Sequence, residues 1–333
     1  MMGPARVLEV AGLLGFFSRA GNLSVTDINL PTRDAAPCLC WTDGGKTFYF
    51  LERNGIIRRI ALDGFKEERA VDLGRKANWL SLSAQGMLVA LPDQQEAWLL
   101  DPKTLEVKAK MDAPSVTHAL SAPSLSVGFA FNHQGDAVHV LDLKAGKTVS
   151  QYEAKDFEPA VGLAKPVITP DGKYILTTGG IEQIYRLRIA GMTLKFEEAS
   201  QRIIQGRFDG LCVSADSRFV CAPCGGGNYG GLRNHPETRP YSTYIYPVDN
   251  LNKPAFVLHQ GAYPQAVGFD AKAGLVYTQN FQRQLIVFSD TGIKLKEHSL
   301  DCGGVRQYLV HPEGRKLLVL GDTKLLFVEL PEK

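Results

Sequence analysis

A short hairpin pattern that recurs along the chain limits the fold more than any other feature. Within residues 167–180, an apolar run meets Pro170-Asp171-Gly172-Lys173, and a second apolar run begins at Tyr174. Proline and aspartate favour a tight turn, glycine tolerates a positive φ, and the flanks are rich in β-forming residues. Similar hairpins recur around five turn glycines: Gly45, Gly86, Gly172, Gly274 and Gly314. The chain is therefore expected to contain a repeated β-hairpin unit.

The spacing of these glycines indicates the length of the repeat. Gly45 and Gly86 are 41 positions apart, and Gly274 and Gly314 are 40 apart. The 86 positions from Gly86 to Gly172 hold two repeats, and the 102 positions from Gly172 to Gly274 hold two repeats and an insertion. A period in the low forties, with strands on both sides of each turn, is typical of β-propeller blades. The sequence therefore predicts an all-β propeller of four-stranded antiparallel blades.

Seven blades of about 44 residues each fill residues 22–331, which we interpret as one propeller domain. The first six are predicted at residues 37–73, 78–111, 116–154, 165–199, 208–259 and 265–300. The last repeat shows only three strands, ending at residues 325–330, whereas a strand-like stretch at residues 22–30 precedes the first hairpin. An open blade edge would leave backbone groups unpaired. The N-terminal strand is therefore expected to complete the seventh blade and close the ring.

The third strands tend to end in or near a polar pair that favours a turn. The examples are Leu62-Asp63-Gly64, Leu100-Asp101-Pro102, Leu143-Lys144 and Ser289-Asp290. With the TPDGKY hairpin, this strand-and-turn element resembles that of WD40-like and YVTN-type β-propellers over residues 22–331. The resemblance is to the architecture, since the regular Gly-His and Trp-Asp signatures of WD40 repeats are absent. It implies a seven-bladed propeller and includes lactonase-like hydrolases among the related activities.

Charge and composition argue against several classes of partner. A formal net charge of +2 provides no electrostatic basis for binding nucleic acid or an anionic membrane. Residues 7–17 are mostly apolar, but they are fewer than the roughly 20 residues that a membrane span needs. Residues 1–21 are therefore expected to be a tail, a short helix, or a degenerate signal or anchor. We expect a monomer without stable membrane insertion, either cytoplasmic or extracytoplasmic.

An insertion at residues 223–240 interrupts the fifth blade between its second and third strands. In a propeller, this connection lies on the same face as the connections that lead into the innermost strands, beside the channel mouth. Insertions in repeat scaffolds often carry binding residues, because the repeats themselves are committed to packing. The candidate binding residues of this loop are Tyr229, Arg233, His235 and Arg239. A surface loop without a binding role is the alternative interpretation.

The start of each innermost strand is the second place where binding residues are expected. Alignment of the repeats places seven side chains near the channel mouth: Asp34, Asn78, His118, Lys165, Asp209, Gln265 and Arg306. Side chains that converge on one axis can form a ligand or metal site. A solvated polar collar explains the same set of residues without a binding role.

The cysteines of the fifth blade have a spacing that zinc sites also use. Cys221 and Cys224 form a CxxC pair, which Cys212 and His235 could complete as four ligands. Two buried cysteines, or a disulfide across paired strands, explain Cys212 and Cys221 as well. Because strong zinc sites show a second pair at a set distance, no metal or other cofactor is expected.

These observations favour a non-enzymatic scaffold that binds a protein or a small-molecule ligand at the channel mouth and the 223–240 loop. No nucleophile elbow, zinc-protease motif, EF-hand or Walker motif is present. The alternative that the resemblance implies is a lactonase-like hydrolase using His118, Asp209 and Arg306 at the mouth. A sensor or scaffold propeller from a larger protein is a third interpretation.

Overall fold

The computed structural model describes residues 23–132, 134–179, 183–201, 210–224, 241–261 and 265–331. Within them, 28 strands form seven four-stranded antiparallel sheets. The helical segments of this part of the chain are 3-10 turns of three residues, and none has the length or apolar character needed to cross a membrane. The seven sheets are the blades of a β-propeller, which confirms the predicted fold. The predicted tail, residues 1–21, lies outside the described residues.

Blades 1 to 3 begin and end close to their predicted boundaries. Blade 1 contains the strands Cys40–Thr42, Thr47–Leu51, Ile56–Ala61 and Glu67–Asp72. Blade 2 contains Trp79–Leu82, Met87–Leu91, Glu96–Leu100 and Val107–Asp112. Blade 3 contains Val116–Leu120, Val127–Asn132, Ala137–Asp142 and Lys147–Glu153.

Blades 4 to 6 follow the same order of strands. Blade 4 contains Ala164–Ile168, Tyr174–Thr178, Ile184–Ala190 and Thr193–Ala199. Blade 5 contains Cys212–Val213, Phe219–Pro223, Thr243–Pro247 and Phe256–Leu258. Blade 6 contains Val267–Asp270, Leu275–Thr278, Leu285–Ser289 and Lys294–His298. Blade 5 has the shortest first and last strands of these three blades, so the repeat is least regular where the insertion occurs.

Blade 7 combines strands from both ends of the described chain. Its inner strands are Val305–Val310, Lys316–Gly321 and Leu325–Glu329, and Ser24–Ile28 is its outermost strand. Ser24 lies opposite Glu329, and Ile28 lies opposite Leu325, in antiparallel register. The predicted closure of the ring by the N-terminal strand is therefore confirmed.

The hydrophobic core lies between neighbouring blades, as the second strand of blade 1 illustrates. Every residue of Thr47–Leu51 is buried. Tyr49 and Leu51 pack on one face with side chains of blade 2, whereas Phe48 and Phe50 pack on the other face with side chains of blade 7. A sheet that is covered on both faces needs apolar residues at successive positions. This explains why the inner blade strands are continuous apolar runs.

Candidate functional site

The first strands of the seven blades surround a central cavity of about 1060 Å³. Every blade contributes to its wall, through residues such as Trp41, Trp79, His118, Lys165, Cys212, Phe269 and Arg306. Half-buried apolar side chains, including Leu82, Val167, Val213 and Leu309, cover the wall along the later part of these strands. The cavity is therefore a channel with polar residues at the start of the strands and an apolar interior.

Four of the residues predicted at the mouth line this channel: His118, Lys165, Gln265 and Arg306. Asn78 lies just ahead of the first strand of blade 2, where its neighbour Trp79 contributes to the wall. Asp34 ends a 3-10 turn, Thr32–Asp34, ahead of blade 1 and is not a wall residue. Asp209 lies outside the described residues.

Three of the first strands carry an irregular register at the mouth. In blade 3 the pairing shifts between Val116 and His118, in blade 4 between Ala164 and Val167, and in blade 7 between Val305 and Gln307. The residues within or next to these shifts include the predicted mouth residues His118, Lys165 and Arg306. A β-bulge bends its strand and changes the direction of a side chain, and bulges are frequent beside functional sites.

Lys165 also has an unusual backbone conformation. Its φ is +48°, in the left-handed region that non-glycine residues seldom adopt. Pro166 follows it, and both residues line the channel. Strained backbone persists only where the surrounding structure holds it, and such residues cluster at binding and switch sites.

His118 is a half-buried imidazole that packs on an aromatic ring. Its ring centroid lies 4.6 Å from that of Trp79 in the neighbouring blade, and its Nδ1 lies 3.0 Å from Oγ1 of Thr117. Burial lowers the pKa of His118 to about 4. The ring is therefore neutral at neutral pH, and its pKa is far from the value at which general acid–base catalysis is most efficient.

Arg306 is held by backbone carbonyl groups. Its Nη1 donates to the carbonyl oxygen of Ala35 at 2.8 Å, and its Nη2 donates to those of Thr32 and Gly321. Its Nε lies 3.4 Å from a carboxylate oxygen of Asp322. Most of its donors are thus already engaged. Since His118 belongs to blade 3 and Arg306 to blade 7, the two residues lie on well-separated blades of the ring.

The long connection of blade 5 begins at the same end of the channel. Cys212 pairs with Cys221, so the chain beyond Cys221 runs back towards the start of the first strand. Gly210 and Pro223 both line the channel. The connection occupies residues 224–242, whereas the corresponding connections occupy residues 52–55 in blade 1 and 322–324 in blade 7. Tyr229, Arg233, His235 and Arg239 lie outside the described residues.

The cysteines of blade 5 do not converge on one point. Cys212 and Cys221 lie opposite each other, and they pack in the cluster between blades 5 and 6. Cys224 packs in the cluster between blades 4 and 5, on the other face of the sheet. Burial raises the pKa of Cys212 to about 11 and that of Cys221 well above its ordinary value. Such thiols are protonated at neutral pH and are poor nucleophiles, because the thiolate is the reactive form.

The remaining member of the proposed zinc set, His235, lies outside the described residues. Among the residues that the structure does describe, no three His, Cys, Asp or Glu side chains are grouped closely enough to hold a metal ion. All six cysteines are free thiols.

Several residues that line the channel were not predicted, because they belong to no recognisable sequence motif. Trp41, Trp79, Gln307 and His311 all line the cavity. They lie on, or directly after, the first strands of their blades. The predicted blade boundaries place such positions near the axis, but the boundaries alone do not distinguish a channel side chain from one that packs between blades.

Comparison with known proteins identifies the fold. No protein-family model matches the chain, and neither does any curated protein. The crystal structure of the Myceliophteria thermophila Cps50 (Swd1) β-propeller domain is similar, with a TM-score of 0.72 and 14% identity over 92% of this chain and 100% of that one. The structure of U3-55K is also similar, with a TM-score of 0.68 and 10% identity over 92% of this chain and 98% of that one. The chain thus has the architecture of WD40 propellers.

Proposed function

We propose that this WD40-like propeller is a non-enzymatic scaffold that binds a protein partner on the face containing the channel mouth and the 223–240 loop. The observation that carries the proposal is that the irregularities of the innermost strands and of the connections beside them lie at this end. They comprise the register shifts of blades 3, 4 and 7 and the long connection of blade 5. WD40 propellers commonly serve as scaffolds for protein interactions, which supports the same function.

The register shifts support binding because the first strands of blades 1, 2, 5 and 6 pair regularly, so a blade can pack without such a shift. Each shift costs hydrogen bonds of the ladder and redirects a side chain. At the mouth, residues next to these shifts provide an ammonium group at Lys165 and a neutral imidazole at His118, and Trp79 of blade 2 adds an aromatic surface. Aromatic and mixed polar groups of this kind are typical of protein-binding surfaces.

The chemistry of the mouth supports binding over hydrolysis. A general base needs a pKa near the operating pH, and burial moves the pKa of His118 well below that range. Arg306 directs three of its N–H donors at backbone carbonyls, so most of its guanidinium is already engaged. No contact among the described residues supports the hydrolase alternative.

The test replaces residues 225–240 with an Asn-Gly turn. Loop closure changes slowly with length, so the shorter loop should alter stability by about 1 kcal/mol or less and the melting temperature by a few degrees. Wild-type and shortened proteins are used as baits in parallel captures from a lysate of the source organism, quantified by mass spectrometry. We expect at least one partner to be depleted about tenfold or more by the replacement.

A matched control changes an exposed apolar residue on the opposite face. Ile293 is 64% exposed and lies between the third and fourth strands of blade 6, at the end of the ring away from the mouth. The Ile293→Asp variant should capture the same partners as the wild type. If the shortened protein retains every partner, or if Ile293→Asp loses the same ones, the proposed binding face is wrong.

A further inference from the structure

The interface between blades 7 and 1, which we call the seam, is held together by side-chain hydrogen bonds from the channel mouth to the far end of the channel. At the mouth, Arg306 donates to the carbonyl oxygen of Ala35. One level deeper, the amide of Gln307 accepts from the N–H of Leu39 at 2.8 Å and donates to its carbonyl oxygen at 3.1 Å. These side-chain bonds link the two blades, which belong to separate sheets and share no backbone ladder. The two blades are therefore joined at successive levels along the channel wall.

The far end of the seam is closed by Trp41 and His311. The indole Nε1 of Trp41 donates to the carbonyl oxygen of Val310 at 2.8 Å. The Nε2 of His311 lies 3.1 Å from the carbonyl oxygen of Gly45, in the hairpin turn of blade 1. The rings of Trp41 and His311 meet edge to face at 5.0 Å. His311 thus connects the end of the seam farthest from the mouth to the hairpin turn of blade 1.

The partners of His311 require one neutral tautomer. Because Nε2 faces a carbonyl oxygen, it must carry the proton and donate. Nδ1 accepts from the backbone N–H of Glu313 at 3.1 Å, so it must be unprotonated. A second proton on Nδ1 would point at this N–H. The ring cannot turn away without losing Gly45, whose backbone lies directly against it.

The charges around His311 only partly compensate for a second proton. The carboxylate of Glu313 lies 3.9 Å from Nδ1, but its side chain is largely exposed and also pairs with Lys316. Lys316 and Lys272 both disfavour a positive charge on the ring. From blade 1, Asp43 belongs to the facing turn, and its carboxylate is already paired with Arg59 at 2.6 Å. Since His311 is only 5% exposed, an imidazolium there would be poorly hydrated.

We propose that His311 forms a pH-sensitive contact between blades 7 and 1. Its protonation opens the seam in the wall of the channel. Arg306, Gln307, Trp41 and His311 all line the channel, so opening the seam changes the shape of the cavity. This proposal rests on the seam contacts and is independent of the proposed partner binding.

The direction of the pH effect follows from proton linkage. Burial, as the main cause, lowers the pKa of His311 in the closed ring below its ordinary value of 6.5. The open seam therefore binds a proton more readily than the closed one. Opening should be rare at neutral pH and should increase as the pH falls below about 6.5, by at most about tenfold per pH unit.

The test measures backbone hydrogen exchange at about pH 7.5, 6 and 5, corrected for the intrinsic rate at each pH. In the wild type, we expect the opening constant of residues 41–48 and 305–312 to rise about tenfold or more over this range. His311→Gln preserves an amide donor for the carbonyl oxygen of Gly45 and cannot be protonated, so its seam should show no such rise. The control His139→Gln removes another buried histidine, in blade 3, and should retain the rise at the seam.

The wild-type measurement decides the proposal even if His311→Gln fails to fold. Uniform protection of the seam from pH 7.5 to 5 would overturn it. A rise that persists in His311→Gln would also overturn it, because another group would then control the opening. A rise that disappears in His139→Gln would assign the pH response to blade 3 instead.

Discussion

At the scale of single residues, the hairpin glycine of blade 1 shows how one position serves both a turn and a seam. Gly45 has a φ of +95°, which side chains other than glycine rarely tolerate. A Cβ atom at this position would lie 2.3 Å from Nε2 of His311. The imidazole is held on both nitrogens, so it cannot move aside without breaking a hydrogen bond. Glycine is therefore required here for backbone conformation and for close packing.

We predict that Gly45→Ala destabilises the protein more than Gly44→Ala. Gly44 lies in the same turn with a φ of +67°, but a Cβ there would contact nothing within 4 Å. Backbone strain alone should cost Gly44→Ala about 1 kcal/mol of unfolding free energy, whereas strain and the clash together should cost Gly45→Ala about 3 kcal/mol. Urea unfolding at neutral pH measures both. Equal losses would show that His311 does not restrict the turn.

The residue scale also shows what the sequence can predict. The turn glycines were recognisable because a positive φ restricts residue type locally, and all five adopt one. The separation of Cys221 and Cys224 onto opposite faces could have been foreseen, since side chains alternate along a strand. The environment of Arg306 could not, because carbonyl groups of Ala35 and Gly321 accept its donors whatever their side chains are. Likewise, the burial of His118 depends on a tryptophan from another blade.

At the scale of elements, the strand Ser24–Ile28 has an uneven burial pattern that suits its position. Its first four residues are exposed, and only Ile28 is buried. Its partner strand, Leu325–Glu329, is buried at all but its last residue. The outer strand therefore contributes to stability mainly by pairing with the backbone of an apolar strand and by burying Ile28.

We predict that deleting residues 1–30 lowers the melting temperature by about 5 °C or more. The deletion removes a buried isoleucine, which alone is worth about 2 kcal/mol or more, and exposes the edge of an apolar strand. Deletion of residues 1–21 alone is the control and should leave the melting temperature unchanged. Calorimetry compares the three proteins. Similar melting temperatures for the two deletions would contradict a stabilising role for the closing strand.

The blade boundaries were also predictable, because a period in the low forties repeats whatever the details of each blade. The closure was predictable from a missing strand at one end and a spare strand at the other. The register shifts at the channel mouth could not be predicted, since they depend on how a first strand meets its neighbours and leave no distinct residue pattern. For that reason the sequence indicated which positions lie near the mouth, whereas the structure shows how they are directed.

At the scale of the whole molecule, stability comes from apolar faces that neighbouring blades cover. The clusters between blades contain aliphatic and aromatic side chains from each adjacent pair of sheets, such as blades 1 and 2. Repeats of this kind stabilise one another through nearest-neighbour interfaces. Packing of this kind does not in itself require metal ligands or disulfide bonds.

We accordingly predict that metal chelation has no effect on folding. Treatment of the purified protein with EDTA and phenanthroline should leave its far-UV circular dichroism and its melting temperature unchanged. Elemental analysis of the same sample provides the independent measurement. Stoichiometric zinc, together with unfolding on chelation, would contradict the prediction and would identify Cys212, Cys221, Cys224 and His235 as ligands.

The closing strand also determines the order in which this ring can be completed during synthesis. Ser24–Ile28 is translated before the other strands of the ring, yet its partner is the last strand of the ring in chain order. Until then, the nascent chain carries an unpaired β-strand that other growing chains could capture. Its polar residues and the charge of Asp27 make it a poor template for such encounters. Ring closure is consequently a late, long-range step, which we expect to slow folding.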